Sequence, residues 1–151
     1  MSAKLSRRKL IAATAVLAAG TILAACTSTG EMYGMSNEQH VTLSGASEVP
    51  PVSTSASGGG TVTINADRSV SASITATGMT ATASHIHEGA AGTNGPVIVP
   101  FTKTGDNTFA APAGAKLTES QYAAYKAGNL YVNVHSAAHP GGEIRAQLKG
   151  G

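Results

Sequence analysis

Two histidines, His85 and His87, stand one residue apart in the stretch SHIHEG (84–89). Imidazole nitrogen is a ready ligand for copper and zinc, so the chemistry this pair suggests is metal chelation. In a β-strand alternate side chains share a face, which turns His85 and His87 one way and Ile86 the other. At a rise of ~3.3 Å per residue their Cα atoms are about 6.6 Å apart, and two rings at that separation can converge on one ion at about 2.0 Å. A third donor lies in Tyr131-Val132-Asn133-Val134-His135, whose alternation turns Val132 and Val134 to a core and Asn133 and His135 to the opposite face. If that strand runs beside 80–87, His135 completes a three-nitrogen set. His139, in a Pro-Gly turn, is a weaker fourth candidate and reads more simply as an exposed loop residue. His40, at the start of the patterned region, is expected to take no part. Glu88 faces away from His87 unless the chain turns at Gly89, which leaves it at most an orienting role. Every ligating imidazole must be unprotonated, so binding is expected to weaken as pH falls through about 6.5.

Other reactive side chains make no comparable set. Glu143 and Arg145 fall at i, i+2 on one strand face and, with Glu48, read as a solvated surface with a weak ion pair. No Ser/His/Asp order, nucleophile elbow, Walker loop or dinucleotide fingerprint is present. Gly58-Gly59-Gly60 lacks the lysine and helix of a phosphate cradle and reads as a flexible turn. The single cysteine, Cys26, excludes an intramolecular disulfide and a Cys-based zinc site.

The elements that must position the histidines are short strands. Charged residues make up 12% of the 151 and aromatics 4%, with Gly, Ser, Thr, Ala and Val in excess, which favours strands and tight turns within one domain. Val41–Ser44 alternates, and Pro50 and Pro51 hold the next segment extended or at an edge. Val62/Ile64 and Val70/Ala72/Ile74 alternate on either side of Asn65-Ala66-Asp67-Arg68, a hairpin signal. Further strands are expected at 80–87, 97–102, 108–110, 131–135 and 143–148. Thr118-Glu119-Ser120-Gln121 has the form of a capping box, and the segment from there to Gly128 suits one short helix. The sum is all-β: a β-sandwich or flattened Greek-key barrel of about seven or eight strands with one short helix.

The first 25 residues read as an address. Lys4, Arg7, Arg8 and Lys9 precede an apolar run, Leu10–Ala25, of secretory-signal length. The run ends in Leu23-Ala24-Ala25-Cys26, which resembles a bacterial lipobox and implies lipidation at Cys26. Residues 1–25 are thus expected to be a lipoprotein signal peptide, 26–39 a flexible tether and 40–151 the domain. The Arg7-Arg8 pair also resembles a twin-arginine export signal. Thr27 after the cysteine favours the outer membrane in a two-membrane cell. Four of the ten Lys and Arg residues lie in the leader and none of the eight Asp and Glu do, leaving six basic against eight acidic residues, a formal charge of −2. That balance removes the electrostatic basis for nucleic-acid binding.

Three blocks, LSGASEVPPV (43–52), HIHEGAAGTNGPV (85–97) and LYVNVHSAAHPGGEIRAQL (130–148), resemble the chordin-type (CHRD) domain. The resemblance implies an immunoglobulin-like or dismutase-like sandwich and no one reaction. A fainter likeness to Cu/Zn superoxide dismutase lies in the His-x-His-Glu pattern, which makes copper plausible. The disulfide pair, a bridging histidine and a separate zinc set are missing, which speaks against dismutation. The expected function is a lipid-anchored, exported binding module with one His-rich metal site, copper preferred to zinc because nitrogen sites hold Cu(II) most tightly. Met32 and Met35 could assist Cu(I) capture. Its rivals are a metal-free adhesion or assembly module that binds a protein partner, and a dismutase-like redox enzyme.

Overall fold

The structure is a computed structural model that describes residues 37–151. The expected signal peptide, Cys26, Met32 and Met35 lie outside the described residues. Nine strands and one helix follow in order: β1 (Glu38–Ser44), β2 (Ser57–Ile64), β3 (Val70–Thr77), β4 (Ala81–Glu88), β5 (Val97–Pro100), β6 (Thr102–Gly105), β7 (Thr108–Ala110), α1 (Glu119–Lys126), β8 (Leu130–Ser136) and β9 (Ile144–Gln147). The fold is all-β with one short α-helix, as the composition and the Thr118 capping box implied. Nine strands replace the expected seven or eight, mainly because 97–102 divides around Phe101 into β5 and the start of β6.

The strands form one antiparallel sheet in the order β5-β4-β8-β9-β1-β2-β3-β7-β6. β1 and β9 meet only at Ser44 and Arg145, so the sheet turns sharply there. Its two ends approach each other again: the Phe101 amide donates to the Ser84 carbonyl and Lys103 Nζ to the Ala81 carbonyl. Inside the nearly closed sheet lie Leu43, Val62, Ile64, Ile74, Ile86, Val132, Val134 and Ile144, all fully buried. Burying a side chain of this size contributes about 1.5–3 kcal/mol, and this set fixes the register of β4 and β8.

α1 begins with the expected capping box, Thr118 accepting from the Gln121 amide and the Gln121 side chain accepting from the Thr118 amide. It stops before Gly128, whose φ of +75° suits glycine. Two expectations fail. Gly58-Gly59-Gly60 is no turn but part of β2, flanked on both sides by β1 and β3. A Cβ at Gly60 would stand 1.9 Å from the Ser73 carbonyl oxygen, so glycine there permits close backbone approach rather than flexibility. Nor is the face carrying Glu143 and Arg145 solvated. Both are buried, as is Glu48, because the segments 45–54 and 89–96 fold over β9.

Candidate metal centre

β4, β8 and β9 lie side by side, and their outward faces form a grid of polar side chains. Register pairs His87 with Tyr131 and Tyr131 with Gln147, then His85 with Asn133 and Asn133 with Arg145. One step further along, His135 pairs with Ala83 and the Glu143 amide donates to the Val134 carbonyl. The alternation that sends Ile86, Val132 and Val134 inward sends His85, His87, Asn133 and His135 outward, as expected. Loops then cover the grid. The Gly89–Pro96 loop is held by hydrogen bonds from Arg145 to Asn94 and to the Ala90 carbonyl, and from Gln147 to the Gly89 carbonyl. Asn94 donates to the Val49 carbonyl, tying in the 48–52 segment.

At one corner of the grid the three expected histidines meet. His85, His87 and His135 each offer a ring nitrogen, and these atoms all lie within 4.8 Å of one another. The His85 Nδ1 to His135 Nε2 separation is 3.0 Å. A metal held at about 2.0 Å would set its ligands about 3.3–4 Å apart, so small ring movements bring all three into range.

Carbonyl groups decide which nitrogen of each ring is free. A carbonyl oxygen only accepts, so His87 Nδ1–H donates to Gly95 O at 2.9 Å and His135 Nδ1–H donates to Pro140 O at 3.0 Å. Both Nε2 atoms are left as lone pairs. That of His135 accepts from His85 Nδ1; that of His87 is buried and meets no hydrogen-bond partner. A buried acceptor without a donor costs about 1–3 kcal/mol, a cost that a bound cation removes. The carbonyl-to-histidine bonds are those that orient metal-ligating imidazoles.

The surroundings favour neutral rings. Burial, with His135 and His87 close by, lowers the pKa of His85 to about 4. Burial also lowers that of His135, against the pull of its bond to Pro140 and with His87 adding to the fall. The proton competition expected near 6.5 therefore moves to lower pH for these two ligands. His87 is stacked on Tyr131, with centroids 4.8 Å apart and planes 7° apart. The Arg145 guanidinium covers the same tyrosine at 3.3 Å from the ring centre. This column holds the plane of His87.

His139 stays outside the cluster, half-buried, and the turn that bears it reaches the site through the Pro140 carbonyl. His40 lies in β1, its side chain largely exposed, with Nε2 3.7 Å from Glu38. Among the described residues no hydrogen bond joins the Glu88 side chain to a site histidine. The acidic groups sit on the far side of the grid. Burial works against charge on Glu143, but Ser136 and Thr54 hydroxyls, with His139, more than offset it and hold the carboxyl below its usual value. Burial pushes Glu48 up, opposed by the Arg145 charge. Alternation turned Asn133 to the face of His135, and Arg145 read as part of a solvated ion pair, but neither they nor Tyr131 and the Gly95 carbonyl were read from the sequence as partners of the histidines. Only the Asn94-Gly95-Pro96 turn hinted that backbone would come close.

The CHRD domain family model matches residues 40–148, most of the chain and nearly all of its described part. The chain belongs to the CHRD domain family. All three histidines of the cluster, and the 45–54, 89–96 and 137–142 segments that cover the grid, fall inside the match. No match was found among curated proteins or among solved structures.

Proposed function

We propose that this CHRD domain is a binding module that holds one transition-metal ion through His85, His87 and His135. The observation that carries the reading is the His87 Nε2 lone pair, buried without a partner beside two other imidazoles. Three neutral nitrogens suit copper above zinc. The ligand set comes from two neighbouring strands whose spacing is fixed by the core, so little entropy is lost on binding. Half-exposed His85 forms the solvent side of the site, the route by which an ion would enter. The lipobox-like Leu23-Ala24-Ala25-Cys26 supports an exported, lipid-anchored setting, in which the module would hold copper at the cell envelope.

Equilibrium titration of the purified full-length chain with Cu(II) tests this. One ion per chain is expected, with nitrogen hyperfine structure in the paramagnetic resonance spectrum. Any of His85→Ala, His87→Ala or His135→Ala should weaken binding far more than His139→Ala or His40→Ala. Equal, small losses from all five would overturn the site and leave a metal-free adhesion module.

A further inference from the structure

The centre of the grid holds a second buried acceptor without a partner. Asn133 is 1% exposed and its Oδ1 meets no hydrogen-bond donor. It is paired with His85 on one side and Arg145 on the other, and on its own strand Tyr131 and His135 flank it on the same face. Its amide nitrogen lies near Glu48, whose Oε1 is likewise buried without a hydrogen-bond partner. Asn133 Nδ2 and Glu48 Oε1 both crowd Gly142, 2.8 and 2.5 Å from where a Cβ would stand, and the amide is among the groups that favour the Glu48 carboxylate. The reverse orientation would set Oδ1 against that carboxylate. Glu48 stands at Gly142 and interacts electrostatically with Arg145, the β9 neighbour, while on the β4 side Asn133 lies directly across from His85.

Three buried polar atoms among the described residues lack a partner: Glu48 Oε1, which feels the charge of Arg145, and His87 Nε2 and Asn133 Oδ1, on diagonal grid positions, which one cation would satisfy together. The geometry points to Asn133 Oδ1 as a fourth protein donor to the metal, an uncharged oxygen beside three imidazole nitrogens. A side-chain amide oxygen is known as a weak axial donor to copper, and its neutrality leaves the site's charge to the ion alone. It also biases the site toward an ion that accepts nitrogen and oxygen together. This inference rests on the three-histidine reading and adds a donor that neither spacing nor motif singled out. Gly142 belongs to the same device: a side chain there would strike both Glu48 and Asn133 and turn the amide.

The test compares the full-length chain with Asn133→Leu, a substitution of similar shape without donor or acceptor. If the inference holds, Asn133→Leu still takes up one Cu(II) but binds it about tenfold or more weakly, and its parallel g value and copper hyperfine splitting shift. Unchanged spectrum and affinity would overturn the role of Asn133 while leaving the histidine site standing. No copper uptake by the unsubstituted chain would remove both. Should Asn133→Leu not fold, the unsubstituted chain grown with 13C-asparagine decides the matter. Pulsed paramagnetic resonance then shows a strong 13C coupling if Oδ1 binds the ion and none if it does not.

Discussion

Gly95→Ala places a methyl group where the structure has no room for it. A Cβ at Gly95 would lie 1.7 Å from the Glu88 carbonyl oxygen and 2.8 Å from its carbon, against the backbone that ends β4. Relief requires the loop to move by roughly 1.5 Å to reach ordinary contact. The Gly95 carbonyl, 2.9 Å from His87 Nδ1, then passes beyond hydrogen-bond range. The Gly95 amide also leaves the Tyr131 hydroxyl, to which it donates at 3.2 Å, and the Glu88 to Pro96 backbone bond is strained. Two to three lost bonds at about 1 kcal/mol each destabilise the domain by about 2–3 kcal/mol. With its Nδ1 proton no longer fixed, His87 loses the tautomer that presents Nε2, and Cu(II) binding weakens about 10–100-fold, or about 1.4–2.7 kcal/mol. Gly141→Ala is the control, since a Cβ there meets nothing within 4 Å. Affinity is read by competition titration, stability by denaturant unfolding, and the tautomer by 15N shifts of the His87 ring. Wild-type affinity in Gly95→Ala, or an equal loss in Gly141→Ala, would refute the reasoning.

The metal-free chain should lose stability as pH falls from about 6.5 to about 4. In that window the unfolded chain protonates at His85 while the fold, with His85 at about 4, does not. The difference corresponds to about 3 kcal/mol, reduced to about 1–2 kcal/mol because the ring is half-exposed and screened. Unfolding midpoints against pH should show the slope and His85→Leu should make it shallower, leaving the part due to His135; a slope of opposite sign would contradict the account. Arg145→Met should cost about 3 kcal/mol, because buried Glu48 loses its countercharge and Tyr131 its cation. Adding Glu48→Gln should restore part of that, as measured by the same unfolding curves. Cys26→Ser should release the protein from membranes or block leader processing; unchanged size and partitioning on fractionation would rule out the lipid anchor.

Much of the candidate site was legible because strand periodicity is local. Alternation in Tyr131–His135 and Ser84–His87 fixes which side chains share a face whatever the rest of the chain does, and it turned His85 and His87 to one face of their strand and His135 to the face of its own strand opposite the core. The capping box at Thr118 is equally local, as is the hairpin around Asn65–Arg68. The histidines' pairing across β4 and β8, the Gly95 and Pro140 carbonyls that choose their tautomers, and the lone pair left on His87 needed contacts between residues far apart in the chain. Glu143 and Arg145 show the limit most clearly. Alternation put Arg145 on the outward face of β9 and Glu143, just before the strand, on the same side, but outward is not the same as solvated. Whether an outward face meets water depends on loops that close over it, and loop paths are set by the sum of distant hydrogen bonds such as Asn94 to Val49 and Thr54 to Glu143. Gly58–Gly60 failed for the same reason: three glycines permit a flexible turn or a close-packed strand, and only the backbone of β3 at Ser73 decides which. The sequence by itself determined the direction each side chain takes from its strand; tertiary structure alone decided what that side chain meets, because burial and electrostatics are properties of neighbours the local pattern does not name.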